Sequence, residues 1–136
     1  MVNKQGWIVA LAIAAVALAI AATGQAASIS GYWSGDVTDQ STKESYGTEV
    51  QVKKKLVKGD KGGETFYPPY ECGGDLIFRK RTNSGSFIFK EQLTFGEVNC
   101  VDGGKVKLTP KGQSLLYRWT KPESATQTGK LTRSDD

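Results

Sequence analysis

The sequence predicts an all-β fold, a single small antiparallel β-barrel of about eight strands, and three observations lead to this prediction. From residue 28 onward, apolar and polar side chains alternate with a period of two, which is typical of half-buried strands. Turn residues interrupt this alternation roughly every 8–12 residues, and no segment shows a helical period. The 136 residues also include 16 glycines, five Tyr, five Phe and three Trp, which favours turns and strands over long helices.

The residues before the predicted barrel have the layout of a secretory signal peptide. Lys4 is followed by an apolar, uncharged run over 7–22, and small residues stand at positions −3 and −1 if cleavage follows Ala26. We therefore predict a signal peptide over 1–26, a β-barrel domain with a short polar tail over 27–136, and a secreted or periplasmic protein. The alternative is a membrane anchor formed by residues 7–22, a run that is short for a bilayer span.

The first three strands are predicted from alternation and from the turns between them. Residues 29–37 open on Gly-x-Trp, and residues 46–56 alternate between apolar or threonine side chains and charged or amide side chains. A glycine-rich turn over 59–63 leads into a short strand over 64–67. This strand ends at Pro68, because proline lacks the N–H that strand pairing uses.

A central hairpin is the clearest local signal. Residues 76–81 and 87–95 alternate on either side of the turn Asn83-Ser84-Gly85. One face of the second strand carries Phe87, Phe89, Glu91, Leu93 and Phe95. Because this face is mostly aromatic and aliphatic, it is predicted to turn into the barrel, together with its one carboxylate.

Glu91 is that carboxylate, and an ionised carboxylate in an apolar interior needs a partner. We favour a structural role, in an ion pair or as a hydrogen-bond acceptor at one end of the barrel. The alternative is a polar group that orients a ligand inside a pocket. The candidate basic partners are Lys80, Arg118 and Arg133.

Four short segments complete the predicted barrel. They cover residues 97–101, 105–108, 115–119 and 128–133. The first of them is expected to carry Cys100. The turns Asp102-Gly103-Gly104 and Pro110-Lys111-Gly112 separate the segments, which brings the count to eight or nine strands.

Cys72 and Cys100 are the two cysteines of the chain. Export predicts an oxidising compartment, in which such a pair forms a disulfide rather than a metal site. Their separation is too long for a C-x-x-C redox motif. We therefore predict one disulfide, which staples a domain of modest core size.

The sequence offers little catalytic chemistry. The chain has no histidine, which removes Ser-His-Asp sites, Cys-His sites and histidine-bound metals. No G-x-S-x-G, P-loop or G-x-G-x-x-G motif occurs. A carboxylate pair is the remaining option, with Glu91 and Glu97 as its candidates. We predict that the protein is not an enzyme and that it holds no metal and no cofactor.

Aromatic and charged side chains near the strand ends are the candidate ligand-binding residues. They are Glu91, Tyr70, Tyr117, Trp119 and Arg118. The alternative for the aromatic members is simple packing in the core. Lys53-Lys54-Lys55 is a basic run, either a solvated strand face or a contact with an anionic polymer or membrane. Nucleic acid is not an expected partner, because the net charge is only +4 and the domain is predicted to be exported.

Two residues at opposite ends of the predicted barrel resemble a known arrangement. Gly31-x-Trp33 on the first strand and Arg133 on the last resemble the lipocalin/avidin, or calycin, type of barrel. This resemblance implies that the Trp33 ring packs beside the Arg133 side chain and closes one end of the barrel.

A second resemblance rests on five short motifs that occur in order. They are Tyr70-x-Cys72-Gly73-Gly74-x-Leu76, Glu91-x-Leu93, Cys100-Val101-Asp102-Gly103-Gly104, Leu116-Tyr117-Arg118-Trp119 and Gly129-Lys130-Leu131-Thr132-Arg133. They resemble the small extracytoplasmic β-domain that follows the membrane span of some bacterial receptor-type serine/threonine kinases and that also occurs alone behind signal peptides. The resemblance implies a fold and a location, and it implies neither kinase activity nor a particular ligand.

Together these observations predict an exported, non-enzymatic β-barrel that binds or senses a small molecule or a component of the cell envelope or its surroundings. One alternative is a protein-interaction module, such as an inhibitor of a secreted hydrolase, and another is an enzyme that uses carboxylates. An enclosed apolar pocket that ends at Glu91 favours small-molecule binding. A filled core with a conspicuous exposed loop favours contact with a protein.

Overall fold

The strands form a closed barrel in simple chain order. In the computed structural model, which describes residues 28–134, each strand pairs antiparallel with the next, and the last strand pairs back with the first. The strands are β1 (Gly31–Asp39), β2 (Ser45–Val52), β3 (Lys61–Tyr67), β4 (Cys72–Arg81), β5 (Phe87–Phe95), β6 (Lys105–Lys111), β7 (Ser114–Thr120) and β8 (Gln127–Arg133). The prediction of an all-β antiparallel barrel of about eight strands is confirmed. The predicted signal peptide, 1–26, lies outside the described residues.

Inward-facing side chains fill the barrel, because the period-two alternation of each strand turns every second residue toward the axis. On β2, for example, Thr48 and Val50 are buried, whereas Glu49 between them is exposed. The largest fully buried apolar side chains come from β4 to β8 and are Phe89, Leu76, Leu108, Leu115 and Leu131. The core therefore draws on strands from the whole described length of the chain.

The connections between strands define two ends of the barrel. One end, here called the closed end, holds residues 28–30 and the connections 53–60, 82–86 and 112–113. The other, here called the open end, holds the connections 40–44, 68–71, 96–104 and 121–126. The connection 68–71 includes a short 3-10 turn, Pro68–Tyr70. Within residues 28–134, no helix has the length and apolar character needed to cross a bilayer.

Trp33 and Arg133 meet at the closed end, where they face each other across the β1–β8 pairing. The guanidinium carbon of Arg133 lies 4.3 Å from the centroid of the Trp33 ring, and the ring is 4% exposed. The indole Nε1 donates to the Ile29 carbonyl at 2.9 Å, and Arg133 donates to the Ser30 carbonyl at 2.5 Å. Gly31 has a φ of 119°, and a Cβ there would lie 2.8 Å from the Arg133 side chain, so glycine allows this approach.

The structure corrects several of the predicted strand limits: β3 and β4 begin earlier, at Lys61 and Cys72, and three further limits also differ. Residues 97–101 form turns instead of a strand, because Gly96 adopts a φ of 66° and the Asn99 N–H bonds back to the Gly96 carbonyl at 2.9 Å. β2 ends at Val52, so the basic run Lys53-Lys54-Lys55 lies in a connection at the closed end. β6 continues through Pro110, which is accommodated because pairing with β5 ends at Leu108.

Two register shifts in the β4–β5 pairing move predicted interior residues to the surface. Strict alternation along residues 76–81 would place Lys80 on the same face as Leu76 and Phe78. A shift between Phe78 and Lys80 breaks this alternation, and Lys80 is exposed. A second shift between Gly73 and Gly74 comes opposite the end of β5, where Phe95 is 46% exposed. The Phe95 ring packs on the outer Phe66 ring, with centroids 6.0 Å apart. The expectation that Phe95 faces the interior is therefore wrong.

Candidate functional site

The open end leads into a cavity of about 230 Å³. Three of the strand connections, 40–44, 68–71 and 96–104, and the inward-facing ends of the strands enclose it. The lining residues are Asp39, Thr42, Glu44, Tyr46, Tyr67, Tyr70, Glu91, Asn99, Cys100, Val101, Tyr117, Trp119 and Gln127. Five of these side chains are aromatic and three are carboxylates, so the cavity combines flat apolar walls with negative charge.

Glu91, on β5, is the most buried carboxylate of the cavity, with 1% of its surface exposed. Its Oε2 accepts hydrogen bonds from the Thr65 hydroxyl at 2.5 Å and the Tyr67 hydroxyl at 2.6 Å. Its Oε1 accepts a bond from the Trp119 indole Nε1 at 3.2 Å. Three neutral donors from β3 and β7 therefore satisfy the carboxylate, and no basic side chain described by the structure pairs with it.

Gly104 lets the Trp119 indole reach Glu91. A Cβ at Gly104 would overlap the indole ring, so only glycine leaves this space free. The Gly104 carbonyl also accepts the Glu91 backbone N–H at 2.8 Å. The start of β6 thereby holds both the backbone of Glu91 and one of its side-chain donors in place.

A chain of hydroxyl groups extends from Glu91 along the cavity wall. The Tyr67 hydroxyl donates to Glu91, so its oxygen is left to accept the proton of the Tyr117 hydroxyl, 2.7 Å away. Burial raises the pKa of both phenols well above the ordinary value, and the charge of Glu91 acts in the same direction. Both phenols are therefore neutral hydrogen-bond donors throughout the physiological range of pH.

Burial also raises the pKa of the Glu91 carboxyl above its ordinary value of 4.5. The hydrogen bonds from Thr65, Tyr67 and Trp119 favour the charged form and oppose this shift, and the charge of Asp102 adds to it. Desolvation is the largest cause, so the net direction is upward. Protonation of Glu91 is consequently linked to the stability of the barrel.

Glu91→Gln is expected to change how stability depends on pH. Between the unfolded and the raised folded pKa the folded wild type binds more protons than the unfolded chain, so its free energy of unfolding falls as the pH rises above about 4.5. The variant lacks this contribution, which is limited to about 1.4 kcal/mol per pH unit for one proton. Urea unfolding of both proteins across pH 4–8 measures the difference, and parallel curves would contradict it.

A second polar group lies at the mouth of the cavity. The Tyr46 hydroxyl donates to Gln127 Oε1 at 2.8 Å, and Gln127 Nε2 donates to Asp39 Oδ2 at 3.0 Å. Hydrogen bonds from Gln127 and from Ser41 hold the pKa of Asp39 well below its ordinary value, so this carboxyl is ionised. The mouth thus keeps a fixed negative charge at its rim.

The structure brings together four of the five predicted ligand-binding residues. Glu91, Tyr70, Tyr117 and Trp119 all line the cavity. Arg118 does not, because it alternates with its buried neighbours on β7 and is exposed on the outer face of the barrel. The expected ion pair of Glu91 with Lys80, Arg118 or Arg133 is also wrong, because Lys80 and Arg118 are on the surface and Arg133 is at the closed end.

Tyr46, Asp39 and Gln127 are lining residues that were not among the predicted set. The sequence does indicate that Tyr46 faces inward, because it alternates in step with the buried Thr48 and Val50 at the start of β2. Its ring meets the Tyr67 and Tyr70 rings edge to face, at centroid distances of 6.1 and 5.2 Å. Asp39 and Gln127 lie at strand ends, where alternation gives no information about the site.

The predicted disulfide is confirmed, and it joins the start of β4 to the connection 96–104. Cys72 is fully buried, whereas Cys100 lines the cavity. The Asn99 side chain donates to the Tyr70 carbonyl at 3.0 Å and supports the same contact. The bridge thereby holds this connection over the open end, and it is typical of a protein from an oxidising compartment.

Comparison of the chain with protein families, with characterised proteins and with solved structures gave no match. The resemblance to the extracytoplasmic β-domain of receptor-type kinases therefore stays a prediction. Within residues 28–134, no three acidic or cysteine side chains form a group that would hold a metal ion. The cavity at the open end is therefore the candidate functional site.

Proposed function

We propose that this protein is an exported binding or sensing protein, and that it takes a small ligand into the cavity at the open end. The observation that carries the proposal is the buried carboxylate of Glu91, which is held by three donors at an aromatic cavity. Aromatic walls with a few oriented polar groups are typical of sites for small molecules. The Cys72–Cys100 disulfide supports a location in the cell envelope or outside the cell.

Binding is proposed in preference to catalysis. Glu97 does not line the cavity, so Glu91 has no second carboxylate from the predicted pair beside it. Three hydrogen bonds already orient the Glu91 oxygens, which suits a fixed recognition group better than a proton shuttle. We therefore propose that the protein binds its ligand without changing it chemically.

The test uses two exposed valines of the same connection as a matched pair. Val101 lines the cavity, whereas Val98 is 96% exposed and does not. A library of small polar and aromatic compounds is screened by saturation-transfer NMR against the native protein. Val101→Trp, which places an indole at the mouth, is expected to weaken binding of the hits at least tenfold. Val98→Trp is expected to change it less than twofold.

The outcome separates small-molecule binding from its main alternative. Val98 is almost fully exposed on the connection 96–104, as is expected of an apolar side chain that inserts into a protein partner. If no compound binds the wild type, or if Val101→Trp binds the hits unchanged, the cavity is not a ligand site. A secreted hydrolase that is inhibited by the wild type and not by Val98→Trp would favour the protein-interaction module instead.

A further inference from the structure

We propose that the ligand of this cavity is a small organic ammonium ion, a protonated amine whose cationic group is directed toward Glu91. The inference rests on the proposed binding function and names the chemical class of its ligand. Four properties of the cavity carry it: the charge of its lining, the direction of its hydrogen bonds, its aromatic walls and the charge of the surrounding connections.

The lining contains acidic side chains and no basic ones. Its ionisable side chains other than tyrosine are the three carboxylates of Asp39, Glu44 and Glu91, and no lysine or arginine is among the lining residues. A bound anion would meet these carboxylates without a compensating cation, which costs free energy in a confined space. A cation placed between the buried Glu91 and the ionised Asp39 is attracted by both.

The three phenols on the strands that line the cavity, Tyr46, Tyr67 and Tyr117, present acceptors to it. The Tyr117 hydroxyl donates its proton to Tyr67, and the Tyr67 hydroxyl donates to Glu91. The Tyr46 hydroxyl donates to Gln127. Each phenol has one proton, so the remaining hydrogen-bonding capacity of these oxygens is accepting. Beside these phenols and Glu91 the ligand must therefore supply the donors, which an ammonium group does with up to three N–H bonds.

The aromatic rings favour the same class of ligand. Tyr46, Tyr67, Tyr70, Tyr117 and Trp119 line the cavity. The negative faces of such rings attract an ammonium group and the polarised C–H bonds next to it, whereas they offer nothing comparable to a carboxylate. The volume of about 230 Å³ is below the ~300–1,000 Å³ of sites for drug-sized molecules, so the organic part of the ligand is small.

Charge is distributed unevenly between the two ends of the barrel. The connections at the open end carry five acidic side chains and two basic ones, whereas those at the closed end carry four lysines and one acid. The open end is therefore negative although the whole chain has a net charge of +4. A small cation is drawn toward the mouth of the cavity by this local field.

The ammonium ion also fits the titration of Glu91. The ionisable groups that interact with this carboxyl are the neutral phenols of Tyr46, Tyr67 and Tyr117 and the carboxyl of Asp102. None of them supplies positive charge, so a bound cation stabilises the ionised form of Glu91 and lowers its pKa. Binding should then tighten as the pH rises from about 4.5 through the raised pKa of Glu91.

The experiment compares matched probes by isothermal titration calorimetry on the native, disulfide-bonded protein at pH 7.5. The probes are 2-phenylethylamine with 2-phenylethanol and phenylacetate, and 3-methylbutylamine with 3-methylbutan-1-ol. Within each set the shape is nearly constant and the charge changes. At least one amine is expected to bind tenfold or more tightly than its alcohol, and phenylacetate is expected not to bind.

Three variants localise the effect. Glu91→Gln is expected to weaken binding of the amine at least tenfold and to reduce the preference for the amine over its alcohol to less than threefold. Glu44→Gln, a surface change at the mouth, is expected to weaken the amine two- to threefold. Glu49→Gln makes the same charge change on the outer face of β2 and is expected to have no effect.

The results distinguish failure of the ammonium assignment from failure of the proposed binding function. Equal binding of amine and alcohol, tighter binding of phenylacetate, or an equal effect of Glu44→Gln and Glu49→Gln would overturn the ammonium assignment. The assignment also fails if no amine binds while neutral or anionic library compounds occupy the cavity, but the proposed function then stands. If no library compound binds at all, both fail.

Discussion

Trp33→Ala is expected to lower the free energy of unfolding by about 3–5 kcal/mol, the usual range for removal of a large buried aromatic side chain. The ring is 4% exposed, and it covers the closed end of the core. Its loss leaves a cavity and also removes the surface on which Arg133 lies, 4.3 Å from the ring centroid. Urea unfolding followed by far-ultraviolet circular dichroism measures the change.

Arg133→Ala provides the matched second arm of this experiment. Arg133 is exposed, so its contact with the Trp33 ring is expected to contribute only ~0.5–1 kcal/mol. A double-mutant cycle isolates that contribution from the loss of buried apolar area. A coupling energy near zero, together with Trp33 fluorescence that is unchanged in Arg133→Ala, would mean that the two residues do not act together at the closed end.

Replacement of both cysteines, as Cys72→Ala with Cys100→Ala, is expected to lower the free energy of unfolding by about 3–4 kcal/mol. The two residues are 28 apart in sequence, so the bridge removes substantial loop-closure entropy from the unfolded chain. Denaturant unfolding of the variant and of the oxidised wild type measures the difference. Reduced wild type serves as the control and should unfold close to the variant.

Loss of the disulfide should also destabilise the open end of the barrel more than the closed end. The disulfide holds the connection 96–104 over the cavity, whereas Trp33 and Arg133 lie at the other end. Amide exchange is therefore expected to rise first at the open end when the bridge is absent. Equal protection at both ends, or a free energy of unfolding within 1 kcal/mol of the wild type, would contradict this role.

The strands were largely predictable because alternation is a local property of the chain. The parity of β2 and β7 places Thr48, Val50, Tyr117 and Trp119 inside, and the structure agrees. The same parity fails at Lys80 and Phe95, where register shifts in the β4–β5 pairing turn the following residues to the other face. A bulge depends on how two strands fit each other, so the pattern of one strand does not reveal it.

The candidate site was predictable only in part for a related reason. Alternation shows that Glu91 faces inward, but not which inward residues of β3 and β7 meet it across the barrel. That contact depends on the stagger of all eight strands, which sets the heights of Thr65, Tyr67 and Trp119 relative to the carboxylate. The sequence therefore left open whether Glu91 forms an ion pair or accepts hydrogen bonds, and it did not identify the three neutral donors.

The strictly sequential strand order has a consequence for how the protein folds. Seven of the eight strand pairings join neighbours in the chain, and such hairpins form early because their loops are short. The eighth, β1 with β8, joins residues about 100 apart, as in the bond between the Ser34 and Ser134 hydroxyls. β1 therefore cannot complete its pairing until β8 is in place, and only then does the barrel close. Until then β1 and β8 each have one unpaired edge, and unpaired strand edges favour aggregation.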